Sequence, residues 1–264
     1  MDLKLEGKTA FITGSTKGIG FAIARQLLAE KVHVILNGRS ASAIVEAKTQ
    51  LQTEFPKSQI SGFPCDFANS EDIQQLLENL PPVDLLINNV GIYYPGSFTE
   101  ASDGDWTRQF EVNVMSGVRL SRYLLPKMQD KNWGRIVFIS SECASLVPED
   151  LIPYSTTKAA LHAISRGLAQ MTKGTGVTVN TVVPGSTLSE GAQNFLSEVA
   201  QKENKTPEQV EKEFFTNVRT SSLLQRFASV EEVASAVAYL CSPLAAATNG
   251  SVLKADGGST GGVM

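Results

Sequence analysis

Seven short apolar runs, each separated from the next by a stretch with helical spacing, constrain this chain of 264 residues more than any other feature. They fall at 9–13, 33–37, 60–66, 84–89, 135–140, 178–183 and 251–255. Asp84-Leu85-Leu86-Ile87 and Ile136-Val137-Phe138-Ile139 are apolar almost without interruption. A strand of that kind has no solvated face, so it belongs in a parallel sheet with helices covering both sides. Helical patterns at 19–30, 40–55, 70–80, 105–129, 154–173 and 230–241 supply the covers. In Ser70-Glu71-Asp72-Ile73 a capping residue and two acids stand where a helix N-terminus favours them. The alternation predicts an α/β fold built on one doubly wound sheet with right-handed crossovers. No repeat, low-complexity tract or flexible linker divides the chain, so residues 1–264 are expected to form one domain.

Composition narrows the partners. A formal net charge of -4, a pI near 5.4 and the absence of any Lys/Arg cluster argue against nucleic acid. Cys65, Cys143 and Cys241 lie far apart, with no C-x-x-C and two histidines in the whole sequence, so no metal site is expected. An odd number of thiols suits a reducing compartment. Met1 to Lys8 carries both charge signs and leads straight into a strand. Neither a secretory signal nor a membrane span is expected, and the chain reads as cytoplasmic.

One stretch breaks the rhythm. Residues 187–226 separate the sixth strand from the last long helix and are polar, yet they carry Phe195, Leu196, Phe214, Phe215, Leu223 and Leu224. Pro207-Glu208-Gln209, with Val210 and Phe214 spaced four apart, indicates a helix inside it. Long connections in compact α/β domains are usually functional, so the segment reads as a lid over the ligand crevice rather than a plain surface insertion.

Gly14-Ser15-Thr16-Lys17-Gly18-Ile19-Gly20 follows the first strand and opens the first helix. Glycines there let the backbone turn tightly and approach a pyrophosphate, whose charge the helix N-terminus favours. The second strand ends in Asn37-Gly38-Arg39-Ser40, without the acid that accepts a ribose hydroxyl in NAD-binding sheets. Arg39 and Lys17 instead place two cations near an expected phosphate, which favours NADP(H) while leaving NAD(H) possible. Asp66, followed by Phe67, either accepts a hydrogen bond from an adenine amino group or caps the next turn. Asn88-Asn89-Val90-Gly91 either binds cofactor or holds the crossover between strands; the two roles are compatible.

Tyr154 and Lys158 are four residues apart on a helical pattern that opens at about Tyr154, and so share one face. Tyrosine titrates near 10 alone; a close ammonium favours its phenolate and draws it toward the working pH, making the pair a tuned general acid. His33 and His162 read as structural.

These residues, taken in order, resemble the short-chain dehydrogenase/reductase family along essentially the whole chain. The likeness is carried by Gly14, Gly18 and Gly20, the Asn88–Gly91 run, Asn113, Ser141, the Tyr154-x-x-x-Lys158 pair, Pro184-Gly185 and the closing Ala255-Asp256-Gly257-Gly258. Val90 stands where alanine is commoner. The resemblance implies a Rossmann-type parallel seven-stranded sheet in order 3-2-1-4-5-6-7 with helices on both faces. It implies Tyr154 as general acid/base, Lys158 as its tuner and a holder of the nicotinamide ribose, and Ser141, favoured over Ser140 by its spacing, as donor to the substrate oxygen. Asn113 is implied to hold a water that links Lys158 to solvent, and Pro184, Gly185 and Thr187 to sit by the carboxamide. With Asn89 and Gly91 as further cofactor contacts, the expectation is an NADP(H)-dependent oxidoreductase interconverting a small-molecule carbonyl and an alcohol (CH–OH chemistry). An NAD(H)-dependent or epimerising member, or a non-catalytic nucleotide-binding regulator, are the alternatives. A homotetramer or homodimer is also implied, with Val112, Met115, Val118, Leu161, Ile164 and Leu168 facing either a second subunit or the chain's own sheet.

Overall fold

In the computed structural model, which describes residues 2–262, alternate residues of the central strands feed two different cores. Ala10 and Ile12, Leu85 and Ile87, and Val137 and Ile139 enter one apolar cluster. Their neighbours Phe11, Leu86, Ile136 and Phe138 enter the other. This period of two, with both sets buried, is why the runs read as nearly continuous.

The strands are β1 (Thr9–Ile12), β2 (His33–Gly38), β3 (Ile60–Pro64), β4 (Leu85–Asn88), β5 (Gly134–Ile139), β6 (Val177–Pro184) and β7 (Val252–Ala255). They form a seven-stranded sheet in order β3-β2-β1-β4-β5-β6-β7, every pairing parallel, as expected. Helices α1 (Gly18–Ala29) and α2 (Ala41–Glu54) cover the first face, together with the last long helix at Val230–Cys241. The second face is covered by α3 (Ser70–Asn79), a helix at Ser116–Asp130 and one at Ile152–Met171.

Local signals explain where the structure departs from the sequence reading. The cap of α3 is Asn69, not Ser70: its Oδ1 accepts from the backbone N–H of Glu71 (2.9 Å) and Asp72 (3.5 Å). Asn69→Ala is therefore expected to cost about 1 kcal/mol. Ser70→Ala is expected to stay within about 0.5 kcal/mol. Urea unfolding of the two variants checks this. The helix expected over 105–129 is instead α4 (Asp103–Phe110), a π-helical turn (Glu111–Met115) and α5 (Ser116–Asp130). The turn is closed by the Ser116 N–H to Glu111 O bond, and wide turns of this kind concentrate at functional sites. A short helix α6 (Cys143–Leu146) precedes α7 (Ile152–Met171), which opens two residues before Tyr154 with Pro153 in its first turn.

The 187–226 segment contains α8 (Glu190–Glu203), missed in the sequence, and α9 (Pro207–Asn217), whose capping box Thr206/Gln209 matches the helix expected at Pro207. The two helices build a small core of their own from Leu196, Ala200, Val210, Phe215 and Phe227. Phe214, Phe215 and Phe227 stand with ring centroids 5.1 Å apart pairwise. Helix α10 (Val230–Cys241) then returns to the first face of the sheet. Among the described residues no helix is long and apolar enough to cross a membrane.

Candidate active site

The parallel register brings the ends of β1, β4, β5 and β6 to one edge. There the loop after β1 is sewn to the end of β4. Thr13 Oγ1 accepts from the N–H of Asn89 (2.8 Å) and Val90 (2.9 Å), and Asn89 Nδ2 donates to the carbonyls of Thr13 (2.9 Å) and Gly14 (3.0 Å). Asn89 thus holds the crossover between strands. Gly14 (φ +61°) and Gly18 (φ +58°) occupy the left-handed region. A Cβ at Gly20 would collide with the Gly14 carbonyl oxygen, so only glycine lets the helix start so close to the loop.

Beside this cradle lies a cavity of about 330 Å³ walled by Gly14, Thr16, Lys17, Asn89, Val90 and Gly91, and by Arg39, Asp66 and Phe67 from the neighbouring strand ends. Its exposed cations, Lys17 and Arg39, suit a ligand that carries phosphate. Among the described residues Lys17 and Arg39 have no carboxylate within ion-pair reach, although Glu46 and Glu190 border the adjoining groove. Ser15 is the exception among the loop residues singled out. Its hydroxyl donates to Ile12 O (2.8 Å) and accepts from Asn37 N (2.9 Å), and its own N–H goes to Asn37 O (2.8 Å). Every donor it owns is used internally, so Ser15 shapes the loop and offers nothing to a phosphate. Asp66 caps the following turn through Ala68 N (3.0 Å) while facing the cavity.

A second cavity, of about 600 Å³, shares Lys17, Asn89 and Gly91 with the first. Ser141, Tyr154 and Lys158 line it, as do Gly18, Ile19, Pro184, Gly185 and Thr187. A Cβ at Gly185 would lie 2.6 Å from Asp256 O, which is how tightly the closing turn packs under β6. Lys158 Nζ donates to Ile139 O (2.9 Å) and stands 5.6 Å from the Tyr154 ring centroid. Ser140, by contrast, is buried: its hydroxyl donates to Lys158 O (2.9 Å) and meets His162 Nε2 (2.9 Å). Both serines line the cavity, but Ser141 Oγ only accepts, from the Cys143 N–H (3.2 Å), and keeps its own hydrogen to donate.

Asn113 lies behind this group rather than in the cavity wall. Its Oδ1 accepts from Ile92 N (2.7 Å), and its Nδ2 donates to Ile92 O (2.8 Å) and Thr157 Oγ1 (3.0 Å). The amide's two donor hydrogens are spent, and a water could meet only the remaining lone pair on Oδ1. Asn113 ties the π turn to α7 just behind the Tyr154–Lys158 pair, which explains an asparagine between two valines.

Electrostatics correct one expectation. Burial, not the lysine, dominates the phenol: desolvation pushes Tyr154 above its usual value, and the Ser141 hydroxyl partly opposes this by favouring the phenolate. Burial likewise pulls Lys158 down to about 8. Burial also lowers His162.

Glu142, Cys143, Ser186 and the first turn of α8 also wall the cavity, and the sequence reading passed over them. Adjacency to Ser141 and to Gly185 was the available signal. Phe195, one of the apolar residues of the 187–226 segment, lines it, as does Tyr93. Of the residues suggested for a subunit interface, Val112, Leu161, Ile164 and Leu168 are turned at least partly toward the chain's own core, and Met115 and Val118 are half-buried.

Comparison with known proteins agrees with this geometry. The short chain dehydrogenase family model matches residues 8–200. An uncharacterized oxidoreductase of Bacillus subtilis, YvaG, is 43% identical over 98% of both chains. The 3-oxoacyl-[acyl-carrier-protein] reductase FabG of Aquifex aeolicus is 32% identical over 98% of this chain and 99% of its own. The L-sorbose reductase of Gluconobacter frateurii, solved with NADPH and L-sorbose, superimposes with a TM-score of 0.93 at 31% identity over 100% of both chains. The chain belongs to the short-chain dehydrogenase/reductase family of oxidoreductases.

Proposed function

We propose that the protein is an NADP(H)-dependent oxidoreductase that interconverts a carbonyl and an alcohol, with Tyr154 as general acid/base. The observation that carries this reading is the junction of the two cavities. Ser141, Tyr154 and Lys158 line the larger one, and its shared wall of Lys17, Asn89 and Gly91 lets a dinucleotide reach them from the smaller.

Bound there, the reduced nicotinamide supplies a hydride to the carbonyl carbon. The chain's own residues do the rest. Tyr154 gives its proton to the carbonyl oxygen, and Ser141 donates a hydrogen bond to that oxygen as it gains negative charge. Lys158 holds the ribose hydroxyls and favours the phenolate left behind. In its raised state Tyr154 keeps its proton at neutral pH, which suits reduction; the reverse reaction needs the phenolate. Asn113 fixes the spacing between the π turn and α7. Gly14, Thr16, Gly18, Ile19 and Gly20 receive the pyrophosphate, Asp66 and Phe67 the adenine, and Pro184, Gly185 and Thr187 the carboxamide. Residues 187–226 act as the lid of a one-domain protein, a reading supported by Glu190, Ala192 and Phe195 in the cavity wall. The protein is taken to be cytoplasmic and to work as a homotetramer or homodimer.

NADPH in the sorbose reductase supports the phosphate-bearing cofactor, and the unpaired Arg39 and Lys17 support it from this chain. Replacing both by serine is expected to lower the preference for NADPH over NADH by roughly 100-fold, since each charged contact is worth about 1.5 kcal/mol or more. The ratio of kcat/KM for the two cofactors measures it. A wild type that prefers NADH strongly would remove the role of both cations.

A further inference from the structure

Glu142 follows Ser141 directly, and hydride transfer gives it no task. Its side chain is 4% exposed. Oε1 accepts from Arg219 Nε (2.9 Å) and from Ser186 Oγ (2.9 Å), and the backbone N–H donates to Pro184 O (2.8 Å). Oε2 is sealed from solvent and has no hydrogen-bond partner. Arg219 does not fork onto both oxygens, because its Nη2 lies instead 4.0 Å from Cys143 Sγ. A buried carboxylate oxygen without a donor is unfavourable, and native structures complete such an atom with water, an ion or a ligand.

The same residue walls the cavity that holds Ser141 and Tyr154. The cations on that wall are Lys17 and Lys158, both engaged by the proposed cofactor. Arg219 stands outside the lining and is neutralised by Glu142 itself. With Glu190 as a second carboxylate in the wall, no cation is left for a substrate phosphate or carboxylate. A neutral molecule carrying a hydroxyl is the ligand that satisfies the site. The terminal torsion of a glutamate is soft, so a small turn of the carboxylate, with Arg219 and Ser186 following Oε1, brings Oε2 to a donor in the cavity.

We infer that Glu142 is a specificity residue whose Oε2 accepts a hydrogen bond from a substrate hydroxyl close to the reacting carbonyl, so that the substrates are neutral hydroxy-carbonyl compounds and the matching polyols. The inference rests on the reading of the site as a carbonyl–alcohol oxidoreductase. Arg219, reaching in from the segment after α9, is a positioning residue that holds the carboxylate in place.

The test compares hydroxyacetone with butanone, in which a methyl replaces the hydroxyl, using NADPH and three proteins: wild type, Glu142→Gln and the double variant Glu142→Met/Arg219→Met. The double variant removes the ion pair whole, since losing the carboxylate alone strands a buried guanidinium. The wild type is expected to favour hydroxyacetone by about 100-fold in kcat/KM, because a site built to bond a hydroxyl rejects the analogue lacking it. Both variants are expected to lose about tenfold or more of that discrimination, chiefly through KM. Titrating cofactor-free protein with propylene glycol and sec-butanol reads the same preference without turnover. Turnover of both ketones at similar efficiency, or discrimination that survives in both variants, overturns the inference alone. Absence of turnover with every carbonyl overturns the oxidoreductase reading and the inference with it.

Discussion

Tyr154→Phe is expected to bind NADPH about as tightly as the wild type while reducing carbonyl substrates about a thousandfold more slowly, the usual worth of a positioned general acid. The substitution deletes the phenolic oxygen and leaves the ring. Tyr154 is half-buried, its ring tilted against Tyr93 at a centroid distance of 5.7 Å, and that contact survives in phenylalanine. The groups assigned to the dinucleotide (the glycine loop, Asn89, Arg39 and Lys17) lie on other elements and keep their places. Loss of turnover therefore reports the missing proton rather than a damaged fold. Steady-state rates together with NADPH fluorescence titration check both halves, and a near-normal rate contradicts the assignment.

Lys158→Met is expected to separate stability from activity. Lys158 is 3% exposed and burial lowers its ammonium from 10.5 to about 8, so at neutral pH the folded protein carries a buried charge at a cost of about 3 kcal/mol. Between about pH 8 and 10.5 the unfolded chain holds the proton that the folded chain has lost, so wild-type stability rises with pH across that window. Methionine removes the charge and also the bond from Nζ to Ile139 O, a loss of about 1 kcal/mol. The cofactor-free variant should accordingly be more stable than the wild type by about 1–2 kcal/mol at pH 7. That advantage should shrink and reverse near pH 10, while turnover is lost throughout. Urea unfolding without cofactor at the two pH values measures it. A difference that does not change with pH contradicts the account of a buried charge held in readiness for the ribose.

Much of this was legible in the sequence because the signals were redundant. β1, β4 and β5 announced themselves by apolar runs whose two faces both meet a core, and the glycine loop by a collision that any Cβ at Gly20 would cause. What was not legible depended on contacts distant in sequence. Ser15 sits among cofactor residues by position, but its hydroxyl is turned inward by Asn37, which comes from β2. The π turn at 111–115 has no compositional mark; Asn113 inside it is held by Ile92 and Thr157, from two other segments. Helix α8 lacks a dense apolar stripe because it buries chiefly Leu196 and Ala200 against the small core of its own segment. The reading of Tyr154 failed in one respect for the same reason: spacing gives the lysine's proximity, whereas the extent of desolvation depends on everything packed around the phenol. Glu142 was hidden in plain view beside Ser141, since its partner Arg219 enters from the far end of the 187–226 segment.

The central claim is that a hydride and the Tyr154 proton arrive at one carbonyl. Incubating the protein with NADPH deuterated at the transferable nicotinamide position and a panel of neutral ketones, then locating the label in the product by mass spectrometry and NMR, tests it most directly. The account predicts deuterium on the carbinol carbon of the alcohol formed by the wild type, with that product nearly absent for Tyr154→Phe. Binding of NADPH without transfer of label to any ketone would contradict it.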